Sequence, residues 1–296
     1  MNVRNFLMIM FSLLVGAASY AQSNLLNAKT PAEIGLKTAA QLISDNDKPL
    51  AYGYVHDRDI LMGKTVWEII DLSEKINFPL YFPIDENIGS DRKSLYTALT
   101  NGIKNGKITE VYADSYFNTK KSFKDIEASL SRIDTTDAGR EQINAGKKSV
   151  SDEYILRSDL TAQDVTQYKI KGFWYFDKRQ SELKYRLLGI CPVTPDVYTM
   201  NSDEKDYIEL FWVFFPDARN VLHEATAFND KNSSMPVSFD QILNSRRFNS
   251  VIYKEENVYG DREIKEYMQD NALNQLIEAD RVKEKIRDFE SDMWNY

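Results

Sequence analysis

Cysteine is nearly absent: Cys191 is the only one in 296 residues. No intramolecular disulfide can form, so stability has to come from packing or from partners. Histidine is almost as scarce, with only His56 and His223. Neither HExxH nor CxxC occurs, so the common short zinc signatures are missing. Positive charge is also in deficit. The formal net charge is −8, and removing residues 1–21, whose only charge is Arg4, makes it one unit more negative. A general nucleic-acid binder needs a basic footprint that this balance does not provide. Beyond the N-terminus no apolar run approaches the roughly 20 residues of a membrane-spanning helix.

The N-terminal run has the form of a secretory signal peptide over residues 1–21. Arg4 supplies the charged start, Phe6 to Val15 a short apolar region, and Ser19-Tyr20-Ala21 a small-x-small cleavage site. Cleavage there leaves Gln22 first and places no cysteine at the cut, so lipid attachment to this chain is not expected. Residues 22–53 are polar and carry Pro31 and Pro49. They read as an extended arm reaching a neighbouring subunit, or as a disordered leader.

The chain is 43% hydrophobic and 12% aromatic, enough for a substantial core in one large or two modest domains. Its densest stretch is Asp57 to Pro83. Val66, Ile70 and Leu72 fall on one alternating face, and Trp67 and Ile69 on the other. A strand apolar on both faces is covered on both, which predicts a central strand. Pro79 and Pro83 then mark an edge or exit segment.

Ser90 is positioned to cap a helix carrying Leu95, Ala98, Leu99 and Ile103, with Gly106 as its stop. A strand over Lys107 to Ala113 follows. Residues 114–151 are less apolar and read as linker or surface insertion. Tyr168 to Cys191 alternates as a hairpin around the charged turn Asp177 to Ser181, expected to be exposed. Tyr207 to Phe215 reads as an aromatic strand, turned by Pro216-Asp217.

Ser238-Phe239-Asp240-Gln241 is a capping box, followed by a strand near Ser250 to Lys254. Its likeness to the helix-then-strand unit near Ser94 suggests two related halves. The end of the chain is a helix whose stripe runs Ala272, Leu276, Ala279, Val282 or Lys283, Ile286, Phe289 and Met293. Either the chain's own sheet or another subunit has to bury that stripe. The resulting division is 1–21 signal peptide, 22–53 arm, 54–135 first half, 136–155 linker and 156–296 second half. The fold class is α+β with mainly antiparallel sheet and flanking helices.

Candidate chemistry is thin. Gly63-Lys64-Thr65 ends like a phosphate-binding loop, but Arg58 stands where the first glycine is needed, and the segment enters a strand. His56 beside Asp57 and Asp59, and His223 beside Glu224, give too few ligands for a metal site. Cys191 follows Leu187, Leu188, Gly189 and Ile190, the setting of a buried inert thiol. Phe173 to Phe176 offer a carbohydrate or peptide platform if exposed, and core packing if not. Arg246-Arg247 near a helix C-terminus complements the helix dipole, and a salt bridge to a partner carboxylate is open to it. No catalytic, cofactor-binding or metal-ligating residue is assigned, and no cofactor is expected.

Three long blocks carry a resemblance. They are RDILMGKTVWEIIDLSEKINFPLYFP from Arg58, YKIKGFWYFDKRQSELKYRLLGICP from Tyr168, and the tail from Leu210, with LFWVFFPDARNVLHEATAFN, SFDQILNSRRFNSVIYKEENVY and the helical end to Trp294. Together they resemble the gliding motility family GldN, also called PorN. The resemblance implies a non-catalytic periplasmic subunit of the type IX secretion apparatus. It implies assembly into a ring with an outer-membrane lipoprotein of the GldK/PorK type, and contact with the periplasmic part of a GldM/PorM-type motor protein. A periplasmic hydrolase, or a peptide- or glycan-binding module, is the alternative reading of the residues. The first requires polar groups converging in a pocket, the second open aromatics at Phe173 to Phe176.

Overall fold

The computed structural model describes residues 48–84, 92–122, 124–126, 131–135, 141, 144–145, 154–196, 206–229, 237–269 and 271–294. The signal peptide, the arm up to residue 47, Ser90 and most of the 136–155 linker lie outside the described residues.

One antiparallel sheet organises the described chain. Its strands are β1 (Ile60–Asp71), β2 (Val111–Tyr112), β5 (Gln167–Asp177), β6 (Glu182–Pro195), β7 (Tyr207–Glu209), β8 (Trp212–Phe214) and β11 (Val251–Glu255). Their order is β11-β1-β5-β6-β8-β2, with β7 also pairing with β6. Two small pairs stand apart: β3 (Ser131–Thr135) with β4 (Ile155–Asp159), and β9 (Thr226–Ala227) with β10 (Val237–Ser238). β1 is thus interior, as its two apolar faces require, and the 168–191 hairpin forms as the alternation indicates. Strands from before residue 113 and after residue 166 interleave in this sheet.

Helices cover one sheet face: α2 (Leu95–Lys104), α3 (Phe215–Glu224) and α4 (Phe239–Asn244). They bury Leu95, Leu99, Phe215, Leu222, Phe239 and Leu243 against Ile70, Tyr168, Ile170, Ile190 and Val213 of the strands. A second apolar cluster lies beside the first. There Val66 and Ile252 meet Ile264 of the short α5 (Ile264–Tyr267), and Ala279, Val282 and Ile286 of α6 (Ala272–Trp294). The C-terminal helix therefore docks on its own sheet.

The opposite face of β1 carries Trp67, in a cluster with Tyr112, Cys191 and Trp212. Two lysines from the flanking strands lie over the Trp67 ring, Lys171 at 5.0 Å and Lys254 at 4.7 Å. Tyr116 packs on it at 5.7 Å. Among the described residues, lysine stems and a loop, not helices, close this side.

Several local expectations need correction. The cap of α2 is Ser94, whose side chain accepts from the Thr97 amide, and not Ser90. The exit segment expected after β1 is, at Phe78–Tyr81, one turn of helix, α1, with Pro79 in that first turn. The 207–215 stretch is two short strands, with Phe215 already opening α3. Pro216, read as a turn, sits in the first turn of that helix, where its missing N–H costs nothing. Asp177 is buried, although the rest of its turn is exposed. Ala272 and Leu276 are exposed, so the buried stripe of α6 begins only at Ala279.

Candidate functional site

The sequence candidates are scattered and already occupied. Gly63, Lys64 and Thr65 lie within β1, and Lys64 pairs with Glu255 at 3.0 Å. His56 is exposed, and its Nδ1 accepts from the Arg58 amide. His223 lies in the last turn of α3 beside Glu224, which pairs with Lys107. Among the described residues no group of three or more His, Cys, Asp or Glu is gathered to hold a metal ion. Cys191 is fully buried, and burial pushes its thiol well above the usual range, with Glu209 adding to the effect. A thiol held protonated is a poor nucleophile.

The Phe173 to Phe176 run is not an open platform. Tyr175 and Phe176 are buried. Trp174 packs on Tyr185 at 4.9 Å, and Phe176 on Phe289 of α6 at 5.9 Å.

What the fold does bring together is charge, at two buried places; of these residues the sequence marked only Arg246, whose carboxylate proves to be Glu68 of the same chain and not a partner's. The first is in the seam between the two apolar clusters. Glu68 points from β1 to the helical face and is 1% exposed. Arg246 grips it with both terminal nitrogens, at 3.1 Å and 2.6 Å. Ser250 donates to the same carboxylate. Tyr185 packs against both apolar clusters, and the Arg246 guanidinium lies 4.1 Å from its ring centre. Burial works against the charge of Arg246, but Glu68 outweighs it and holds the guanidinium above its ordinary value.

Backbone geometry fits this role. Arg246 follows α4 with φ at 51°, the left-handed position that Gly106 fills after α2 with φ at 68°. Glycine is the usual residue there, because a side chain is strained at positive φ. An arginine at that position is explained by where its side chain has to reach. Gly172 on β5 matters for a different reason, close approach. A Cβ there would overlap the Tyr185 ring, so only glycine lets that ring lie across the strand.

The second place joins α3, α4 and the incoming chain. Arg219 bonds Asp240 through Nε at 2.8 Å and Nη2 at 3.2 Å. Asn244 also donates to the Asp240 carboxylate. Tyr52 lies across Arg219 at 4.2 Å and Arg186 at 4.6 Å, and its hydroxyl donates to Asn244 Oδ1 at 2.7 Å. The same arginines donate to the main chain on either side, Arg219 to the Leu50 carbonyl and Arg186 to that of Gly53.

Only one member of each pair is conspicuous in sequence, and its partner is not. Glu68 sits inside an apolar strand, a misplaced charge that needs a partner. Which arginine answers it is decided 178 residues away. Chemically, both carboxylates are neutralised by bidentate arginines, an arrangement that fixes geometry and leaves no free acid or base.

These features define a class: an α+β protein on one antiparallel sheet, whose buried charges lock elements to one another. The described residues include no helix long and apolar enough to cross a membrane. Residues 55–295 match the family model of the gliding motility associated protein GldN, and the chain belongs to that family. Membership associates it with gliding motility and type IX secretion. No curated protein matches the chain.

Proposed function

We propose that the chain is a non-catalytic structural subunit of the type IX secretion and gliding motility machinery. It works in the periplasm after removal of residues 1–21. It assembles with copies of itself and a GldK/PorK-type outer-membrane lipoprotein into a ring, and meets the periplasmic region of a GldM/PorM-type motor protein. The observation that carries this reading is the family match across 55–295. Two features support it. The buried carboxylates Glu68 and Asp240 serve as internal braces. Large apolar side chains, among them Ile76, Phe78, Phe82, Leu273, Ile277 and Trp294, stand exposed on the described surface, as a subunit with several neighbours requires.

Affinity purification of the tagged chain from envelope membranes tests the reading. A lipoprotein should be recovered in near-equal amount. Recovery of the chain alone, from gently solubilised membranes that retain the lipoprotein, would count against it.

A further inference from the structure

The contact at Tyr52 has the form of a peptide held in a cleft. Residues 48–55 belong to no helix or strand, and among the described residues their backbone makes no main-chain hydrogen bond. What holds them is one aromatic side chain and two carbonyls. Tyr52 lies across the guanidinium groups of Arg186 and Arg219 and donates to Asn244. Arg219 donates to the Leu50 carbonyl at 2.7 Å, and Arg186 to the Gly53 carbonyl at 3.1 Å.

The Arg219 side of the cleft is built without its occupant, while Arg186, among the described residues, has only the Tyr175 ring, 5.8 Å away, beside the docked segment. Arg219 is pinned by Asp240, and Asp240 by Asn244, all on α3 and α4. Removing residues 50–53 would leave those bonds intact. The occupant, by contrast, is poorly buried around its anchor: Leu50 is 86% and Tyr54 84% exposed. Two large apolar side chains remain in water when the segment docks on its own chain. Gly53 has open space around it, and the chain regains hydrogen-bonded structure only at the turn of residues 57–59. Release of the segment would therefore break no sheet hydrogen bond.

We infer that residues 50–53 are an exchangeable tether, so that in assemblies of this chain the Arg186–Arg219–Asn244 cleft of one copy takes residues 50–53 of a neighbouring copy. The inference rests on the reading that the chain assembles with copies of itself. The second copy is the occupant because the cleft already fits this segment. An exchanged contact repeats every bond of the closed one, so its extra cost is confined to the hinge and to association. Exchange also lets the neighbour cover Leu50 and Tyr54, which the closed form leaves in water.

Photo-crosslinking separates the outcomes. Two differently tagged versions of the full chain are co-produced, one with photoreactive benzoylphenylalanine in place of Tyr52. Self-associated material is purified and irradiated, and the products are resolved under denaturing conditions. The expected product is two copies joined, with the adduct on the Asn244-bearing peptide of the other tag. Arg186→Ala in the receiving copy should lower its yield several-fold. Adducts confined to one chain within self-associated material would overturn the exchange and leave the assembly reading standing. Adducts to a different protein would overturn it likewise. A chain that stays monomeric throughout would overturn the assembly reading and the exchange together.

Discussion

Glu68 and Arg246 show how a single charge inside a strand sets conditions for distant residues. A buried carboxylate without a partner is strongly disfavoured, so Glu68 requires Arg246, and Arg246 accepts a left-handed backbone to supply it. Arg246→Met should cost about 3–5 kcal/mol, because it strands a buried charge. The double variant Glu68→Leu with Arg246→Met should recover most of that loss, since an apolar pair needs no compensation. Arg246→Gly gives the sharper comparison. It relieves the backbone by up to about 1 kcal/mol and yet should still destabilise. Urea unfolding of the variants measures all of these, and an Arg246→Gly protein more stable than the parent would show that the pair contributes little.

Buried phenols govern the alkaline side. Burial, with Asp164 adding to it, pushes Tyr96 from the ordinary 10.0 up to about 12. A raised acid binds its proton more tightly when folded, so its contribution is complete below the unfolded value and is lost as pH rises. Stability should fall between pH 10.0 and about 12, at up to about 1.4 kcal/mol per pH unit for this group. Tyr96→Phe should flatten that fall, read from unfolding midpoints at a series of pH values. An unchanged slope would place the proton release elsewhere.

At the scale of elements, α6 is divided along its length. Ala279, Val282 and Ile286 are buried against Val66 and Ile252, whereas Leu273, Leu276 and Ile277 are exposed. Ile286→Ser with Phe289→Ser should therefore lose several kcal/mol of stability, because apolar contacts with the chain's own core are replaced by hydroxyls. Leu273→Gln with Ile277→Gln should stay within about 0.5 kcal/mol of the parent, as surface changes do. Thermal melts of the two double variants make the comparison. Equal melting temperatures would contradict the internal docking.

The same helix shows what periodicity conveys. Spacing of three and four residues marks a stripe, but not how much of it finds a partner, because that depends on where the sheet ends. Strand β1 was legible because both of its faces are apolar, and the 168–191 hairpin because it alternates around a charged turn. Helix α3 was hidden because Pro216 reads as a turn when the position of the first helical turn is unknown. Ser90 and Ser94 are equally good caps in sequence, and only the packing of Leu95 and Leu99 selects the second. The two ion pairs were illegible for a stronger reason. Their partners lie 178 and 21 residues apart, and no local rule relates residues at such distances.

For the whole molecule, the absence of disulfides and the exposed apolar side chains point the same way. The chain is braced internally by ion pairs and leaves Phe78, Phe82 and Trp294 exposed, apolar surface for a neighbour to cover. The heterologous contacts of the proposed assembly either close into rings or continue as open filaments. Electron microscopy of gently extracted envelope complexes, with the chain tagged in place, tests this most directly. Closed rings are expected that carry the tag around their circumference and are lost, or lose a layer, when the chain is deleted. Rings unchanged by its deletion, or a tag found only on dispersed single particles, would contradict it.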